Sequence, residues 1–323
     1  MSKEGKKGGA LKVIILVVLL IVFLYAALNY AVPAFEDVDL TAVEGSADWM
    51  AGKEDDYPIT YYSSPGTHDS ATQYVQLAFF SKCQALSIKQ QLEAGFRYLD
   101  IRLGESDSGL KLMHGFTNCK EGPWPWSGTL YLDKVLEDCY AFLDEHPTEL
   151  ILFCVKHEHG DMDDDAFLAE LKKVIDKAPD RWYTEDRIPT LGEARGKLVL
   201  LRRFGSEGPG LYFIWTDQNK NAPGSAEFPN VPHFNLTVQD WYELETEEKW
   251  QKFNDVMHYE QPAADGTVTL NFLSTMGSAK FGHPFKYAKE LNERFLELER
   301  GEYFGWIVVD FGTPKLAEHI RVP

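Results

Sequence analysis

Positive charge is in short supply in this chain. Its 32 Lys and Arg residues face 50 Asp and Glu, for a net charge of -18. Without a basic surface to neutralise phosphates, a nucleic-acid partner is excluded. Strong electrostatic attraction to anionic lipid is excluded on the same ground, so any membrane contact must rely on apolar insertion. Cysteine is also scarce, and the spacing of Cys83, Cys119, Cys139 and Cys154 fits no zinc-site pattern. No Gly-rich turn follows the first β-rich run, as a dinucleotide-binding doubly wound sheet would require. Internal repeats and low-complexity stretches are missing as well. What remains is a chain of 323 residues with an ordinary apolar fraction of 44%, enough for one large domain.

The N-terminus departs from this composition. Lys3, Lys6, Lys7 and Lys12 stand against Glu4, and Val13 to Leu28 is an uninterrupted apolar run. With Asn29 to Val32 it reaches the ~20 residues a helix needs to span a bilayer. The lysines put the N-terminus in the cytoplasm and the remainder outside. Two readings fit residues 1–32, an uncleaved signal anchor and a signal peptide removed near the small residues Ala26, Ala27 and Ala31. The run exceeds the usual signal-peptide core, which favours the anchor. Residues 33–56 are acidic and read as a linker and domain entry, and 57–323 as the catalytic domain. All four cysteines then lie in an oxidising compartment. Cys139 falls on a helix face and Cys154 in an apolar strand, so both read as buried thiols. Cys83 and Cys119 sit in loop-like contexts and are the expected pair if any pair forms.

Beyond Pro58 the chain alternates short β-rich runs with amphipathic helices. Tyr98–Leu103, Leu110–Met113, Leu150–Val155, Leu198–Leu201, Phe234–Val238, Leu270–Leu273 and Trp306–Val309 read as strands. Ser87–Ala94, Leu132–Leu143, Phe167–Ile175, 245–258 and 284–298 carry helical spacing. Such alternation predicts a distorted (βα)8 TIM barrel behind an N-terminal transmembrane helix or signal sequence. His68, Arg102, His114, Lys156, Arg203, Asp240 and Asp310 close the apolar strands at their C-terminal ends, where barrels build active sites. An open doubly wound sheet would collect residues there too.

Two histidines with an arginine between them suit phosphoryl transfer. One imidazole takes a proton from a nucleophile and the other gives one to a leaving group. The guanidinium holds the charge that builds on phosphorus oxygens.

Five segments in order carry a family resemblance: Pro65-Gly66-Thr67-His68-Asp69-Ser70, Leu99-Asp100-Ile101-Arg102, Gly196–Arg203, Thr237–Tyr242 and Gly305–Asp310. From near Trp49 to about residue 312 the chain resembles bacterial phosphatidylinositol-specific phospholipase C, the metal-independent, single-domain type of the X-domain family. The resemblance implies cleavage of phosphatidylinositol, by a monomer at a membrane surface, to diacylglycerol and inositol 1,2-cyclic phosphate. Glycosylphosphatidylinositol anchors are a further possible substrate. It implies that His68 is the general base on the inositol 2-hydroxyl and His114, assisted by Asp69, the general acid. Asp310 would hold His68 in its useful tautomer, and Arg102 would bind the phosphate. Lys156, Glu158, Arg203 and Asp240 would bond inositol hydroxyls, with Tyr242 stacked on the ring. Relatives that use calcium hold it near this place with carboxylates. A guanidinium there would repel a metal, so no cofactor is expected. The resemblance further implies membrane contact through Phe79, Phe80 and a rim loop near Phe281.

Each position also has a plainer reading. Asp69 and Asp310 suit helix caps, Lys156 and Arg203 ordinary ion pairs, and Phe79 and Phe80 core packing. His157, His159, His233 and His258 read as structural or surface residues. Trp124 and Trp126 border the mouth of the site or pack a long loop. Two other functions stay open: a metal-dependent phosphodiesterase acting on glycerophosphodiesters or sphingomyelin, and a non-catalytic inositol-lipid-binding protein.

Overall fold

The computed structural model describes residues 3–31, 36–219, 227–228, 235–257, 267–278, 282–301 and 304–321. Helix α1 (Lys3–Ala26) leads into a π turn over Ala27–Ala31. The segment Gly9–Tyr30 is long and apolar enough to cross a membrane, and its most apolar stretch is exposed, while Asn29 at its end is buried. The barrel begins with β1 (Ser64–Thr67), α2 (Ala78–Ser81) and α3 (Ile88–Glu93). A β2–β3–β4 ribbon follows (Tyr98–Gly104, Lys111–His114, Thr117–Asn118), then α4 (Leu132–Glu145) and β5 (Ile151–His159). Next come α5 (Asp164–Ile175), β6 (Trp182–Tyr183), α6 (Leu191–Ala194), β7 (Leu198–Arg203) and β8 (Leu211–Tyr212). The second half adds β9 (Glu227–Phe228), β10 (Leu236–Gln239), α7 (Thr246–Asp255), β11 (Val268–Phe272), α8 (Pro284–Leu296), β12 (Trp306–Val309) and α9 (Pro314–Ile320).

The main sheet runs β6-β7-β5-β2-β1-β12-β11-β10-β9, parallel except where β9 joins β10. It curls on itself. Side chains from both ends of that order, Leu211 of β8 and Leu236 of β10 among them, share one buried cluster with Tyr98, Leu152, Leu270 and Trp306. An isolated parallel bridge, Gln218 to Trp241, links the chain beyond β8 to the end of β10. An open doubly wound sheet would keep those edges apart.

Period-2 alternation sorts the side chains. In β2, Tyr98 faces the inner cluster while Leu99 and Ile101 face the outer layer of α4 and α5. In β12, Trp306 and Val308 point inward, and Ile307 and Val309 pack on α8 and α9. Continuing the same alternation places Asp100, Arg102, Lys156, Arg203 and Asp310 inward at the C-terminal end. The register aligns Arg102, Lys156 and Arg203 in one row across β2, β5 and β7.

The first strand is not an apolar run. Ile59–Tyr61 is a 3-10 turn, and β1 is built from Ser-Pro-Gly-Thr, residues of low strand propensity. Pairing on both sides, with β12 and β2, overrides propensity. Gly66 is required there. A Cβ would stand 2.9 Å from Tyr98 Cβ and 3.1 Å from Val308 Cγ2.

Cys83 and Cys119, the pair to form if any did, are not joined: all four cysteines are separate, buried thiols. Cys119 bridges into the ribbon through its backbone, and its side chain joins the outer cluster, whereas Cys83 turns toward the histidines.

Candidate active site

His68 directly follows β1, and its N–H bonds the Val309 carbonyl of β12 at 3.0 Å. Gln84 Nε2 fixes the same turn, donating to the His68 and Val309 carbonyls at 2.8 and 2.9 Å. Asp310 extends β12, and its Oδ1 accepts from His68 Nδ1 at 2.8 Å. The cap of α9 is Thr313, so Asp310 is free for this contact. On the far side of the ring, Arg102 Nη2 lies 2.7 Å from His68 Nε2. A guanidinium only donates, so Nε2 carries a lone pair and Nδ1 the proton. Burial disfavours a charged His68 ring, but the Asp310 carboxylate outweighs it and lifts the pKa above the ordinary histidine value.

Arg102 sits among three carboxylates. Its Nε donates to Asp100 Oδ2 at 3.0 Å, and its Nη1 lies 3.2 Å from Asp69 Oδ2 and 3.3 Å from Glu158 Oε1. These partners raise the Arg102 pKa further against the penalty of burial. Burial also opposes charge on Asp100 and Glu158, yet Arg102 prevails and holds both carboxyls below their usual range. At Asp69 burial prevails and the carboxyl is raised. Asp69 is no helix cap. It takes a positive φ of 45°, with its N–H on Asp100 Oδ2 at 3.2 Å, and its side chain turns inward.

His114 ends β3 at the tight turn into β4, where Gly115 has φ 53° and its N–H meets Glu158 Oε1 at 2.9 Å. The Nδ1 of His114 faces the Ser81 carbonyl at 2.8 Å and Asp69 Oδ2 at 3.3 Å, so Nε2 is the nitrogen available to a ligand. The His68 and His114 rings stand 6.1 Å apart, nearly perpendicular, against one cavity of about 620 Å³.

The opposite wall of that cavity carries the expected polyol-binding groups. Lys156 Nζ pairs with Glu158 Oε2 at 2.5 Å, and burial lowers the Lys156 pKa. Arg203 Nη2 pairs with Asp240 Oδ2 at 2.9 Å, and its guanidinium carbon Cζ lies over the Trp215 ring, 3.6 Å from the centroid. Tyr242 donates its hydroxyl to Asp217 Oδ2 and accepts from Asn219 Nδ2, both at 2.9 Å, which fixes its ring at the rim. Asp217, Asn219 and Trp215 were invisible in the sequence. They lie in an irregular stretch after β8 with no motif or period to single them out. The Ser81 carbonyl is a backbone group and left no trace either.

The expected membrane residues separate. Phe80 lines the cavity, while Phe79, half-buried, stacks on the His283 ring at 4.4 Å. Phe281 lies outside the described residues, as do His233 and His258. His157 is structural, stacked on Phe167 at 4.3 Å and bonded to Asp164 and Glu105.

A family profile described as phosphatidylinositol-specific phospholipase C, X domain, matches residues 56–204. A protein of Listeria monocytogenes named 1-phosphatidylinositol phosphodiesterase is 29% identical over 84% of this chain and 83% of its own length. A protein of the same name from Staphylococcus aureus is 25% identical over 82% of this chain and 88% of its own. The solved structure of phosphatidylinositol-specific phospholipase C from Listeria monocytogenes superposes with a TM-score of 0.65 at 26% identity, covering 85% of this chain and 97% of that one. The profile covers the half of the barrel that holds His68, Arg102 and His114, and the relatives match over more of the chain than the profile does. Residues 56–204 belong to the phosphatidylinositol-specific phospholipase C X-domain family, and most of the chain is similar to bacterial proteins named 1-phosphatidylinositol phosphodiesterase.

Proposed function

We propose that this protein is a phosphatidylinositol-specific phospholipase C that releases diacylglycerol and inositol 1,2-cyclic phosphate. The observation that carries the reading is the meeting of His68, Arg102 and His114 against one cavity. The phosphodiester enters beside Arg102, whose Nη2 moves from His68 Nε2 to a phosphate oxygen. The freed lone pair takes the proton of the inositol 2-hydroxyl. The resulting oxygen attacks phosphorus within the same molecule, which removes most of the entropic barrier of encounter. Asp310 supports the imidazolium that forms on His68. Arg102 holds the charge on the phosphoryl oxygens, and protonated His114 passes its Nε2 proton to the departing glycerol oxygen. Asp69 Oδ2, 3.3 Å from His114 Nδ1, holds that ring with Nε2 toward the leaving oxygen. Lys156, Glu158, Arg203 and Asp240 match the polyol, since each unpaired buried hydroxyl would be costly.

The donor set argues for catalysis without a metal. Asp69, Asp100 and Glu158 would be the carboxylate ligands of a calcium ion, and the Arg102 guanidinium already occupies the space between them. A single chain supplies every group, so a monomer suffices. Glycosylphosphatidylinositol anchors present the same phosphodiester and belong to the same substrate class. The α1 helix is read as a retained anchor, with the barrel outside the cytoplasm.

In chelator, the full chain with phosphatidylinositol vesicles is expected to yield inositol 1,2-cyclic phosphate, seen by 31P NMR. Activity that appears only with calcium would favour the metal-dependent phosphodiesterase. Tight binding of the lipid without turnover would favour a binding protein. His68→Ala and His114→Ala are each expected to lose at least about 10³-fold in kcat.

A further inference from the structure

One helical turn separates the catalytic cavity from the end of the apolar N-terminal helix. Leu77, Phe80 and Ser81 face the cavity. Ala78 and Lys82, on the other side of the same turn, line a second cavity of about 270 Å³ together with Tyr25, Asn29 and Tyr30. Gly122 and Pro123 complete that second cavity, and they are the root of the loop that carries Trp124 and Trp126. The chain beyond the helix is tied down at the same place. The Glu36 side chain is buried, pairs with Lys82 Nζ at 2.6 Å, and lies 3.9 Å from His283 Nε2, whose ring stacks on Phe79.

The loop itself is ordered and yet offers its apolar side chains to solvent. Lys120 Nζ donates to the carbonyls of Trp124 and Pro125 at 2.5 and 3.0 Å, and Ser127 Oγ accepts from Trp124 N–H at 3.2 Å. The two indoles stack in parallel, 5.6 Å apart, and are 59% and 79% exposed. Phe116, on the rim of the catalytic cavity, is 66% exposed. Folding gains nothing from holding three large aromatic rings in water, which marks an interaction surface. Indoles are suited to the boundary between headgroups and acyl chains.

We infer that this edge, formed by Trp124, Trp126 and Phe116 beside α2, docks on the bilayer in which α1 is embedded. The barrel therefore opens onto the leaflet from which the helix emerges and works on lipids of its own membrane. The inference rests on α1 being a retained anchor and on the lipase reading above. Insertion through aromatic rings suits a protein whose net charge of -18 gives it no electrostatic pull toward anionic lipid.

The test reconstitutes the full chain in phosphatidylinositol liposomes containing phosphatidylcholine brominated near the headgroup. Tryptophan emission is expected to be quenched, and most of the quenching to vanish in Trp124→Phe/Trp126→Phe. Protein-free vesicles with distinguishable phosphatidylinositol acyl chains, mixed in at high dilution, are expected to be hydrolysed at least about tenfold more slowly than the host vesicles. Trp124→Ser/Trp126→Ser should lower host-vesicle turnover about tenfold and leave turnover of soluble short-chain phosphatidylinositol unchanged. Intact mass of the same sample reports whether residues 1–31 are retained, and short-chain turnover reports the lipase activity. In an intact, active protein, equal quenching of wild type and the Phe variant, or equal rates on host and added vesicles, would overturn the docking surface alone.

Discussion

Asp310 decides more than the orientation of His68. The ring is buried, which by itself would lower its pKa, and the Asp310 carboxylate at 2.8 Å does most to reverse the direction, with Asp69 adding to it. A general base acts in its neutral form, so a raised pKa moves the acid limb of kcat/KM to higher pH than an unperturbed histidine would give. In Asp310→Asn the Coulombic support is gone while burial remains, so the limb should move down in pH. The rate on the plateau should fall by about 10³–10⁴-fold as the amide ceases to favour the Nδ1–H tautomer. A limb that stays in place would remove Asp310 from the role of partner. Arg102 makes a parallel case. Its fork reaches Asp100 through Nε and His68 through Nη2 while Nη1 serves Asp69 and Glu158. A lysine has one charged nitrogen and cannot hold that spread. Arg102→Lys is expected to lose about 10²–10³-fold in kcat, the scale of one transition-state donor, with a smaller change in KM. A variant within a few-fold of wild type would show that charge alone suffices.

At the scale of elements, the catalytic end of the barrel depends on how closely β1 approaches its neighbours. Gly66 lets the β1 backbone lie against Tyr98 and Val308, and the next inward position along the strand is His68. Gly66→Ala would push β1 away from β2 and β12, an overpacking expected to destabilise by about 1–3 kcal/mol in urea unfolding. Because the displaced strand leads into His68, the proposed base, activity should fall by more than the folded fraction does. At the opposite end, Arg97 and Glu149 form a fully buried pair at 2.8 Å, and Glu149 Oε1 accepts the Met50 N–H. Glu149→Ala strands a buried guanidinium and should destabilise by about 3–5 kcal/mol, leaving kcat of the folded fraction unchanged. These two positions show what the sequence could disclose. Strands β2, β5, β7 and β12 were legible because each is a run of apolar residues ended by a charge, and a barrel must bury such runs. Strand β1 was not, since Ser-Pro-Gly-Thr becomes a strand only between partners about 30 and 240 residues away. The histidines and Arg102 were legible by motif and strand-end position. Asp217 and Trp215 were not, because their roles exist only once β8 and β10 meet. Cys83 and Cys119 misled because a loop-like sequence context does not report burial.

For the whole molecule, the uneven distribution of charge has a consequence for lipid access. The four lysines and one glutamate before residue 36 carry a surplus of positive charge, so without them the net charge passes from -18 to -21. The barrel does not draw on α1 for its core, since the membrane-length segment meets it only at its C-terminal end, around Asn29. A chain lacking residues 1–31 is therefore expected to fold and to turn over soluble short-chain phosphatidylinositol at the full-length rate. On anionic phosphatidylinositol vesicles the shortened chain must approach a surface of its own sign. That repulsion extends about 30 Å at 0.01 M salt and about 8 Å at 0.15 M. Its vesicle activity should rise several-fold across that range. The full chain, reconstituted in the same lipid, is already at the surface and should change little. A shortened chain that is equally insensitive to salt would mean that the acidic face is turned away from the lipid and that approach is governed by the aromatic edge alone.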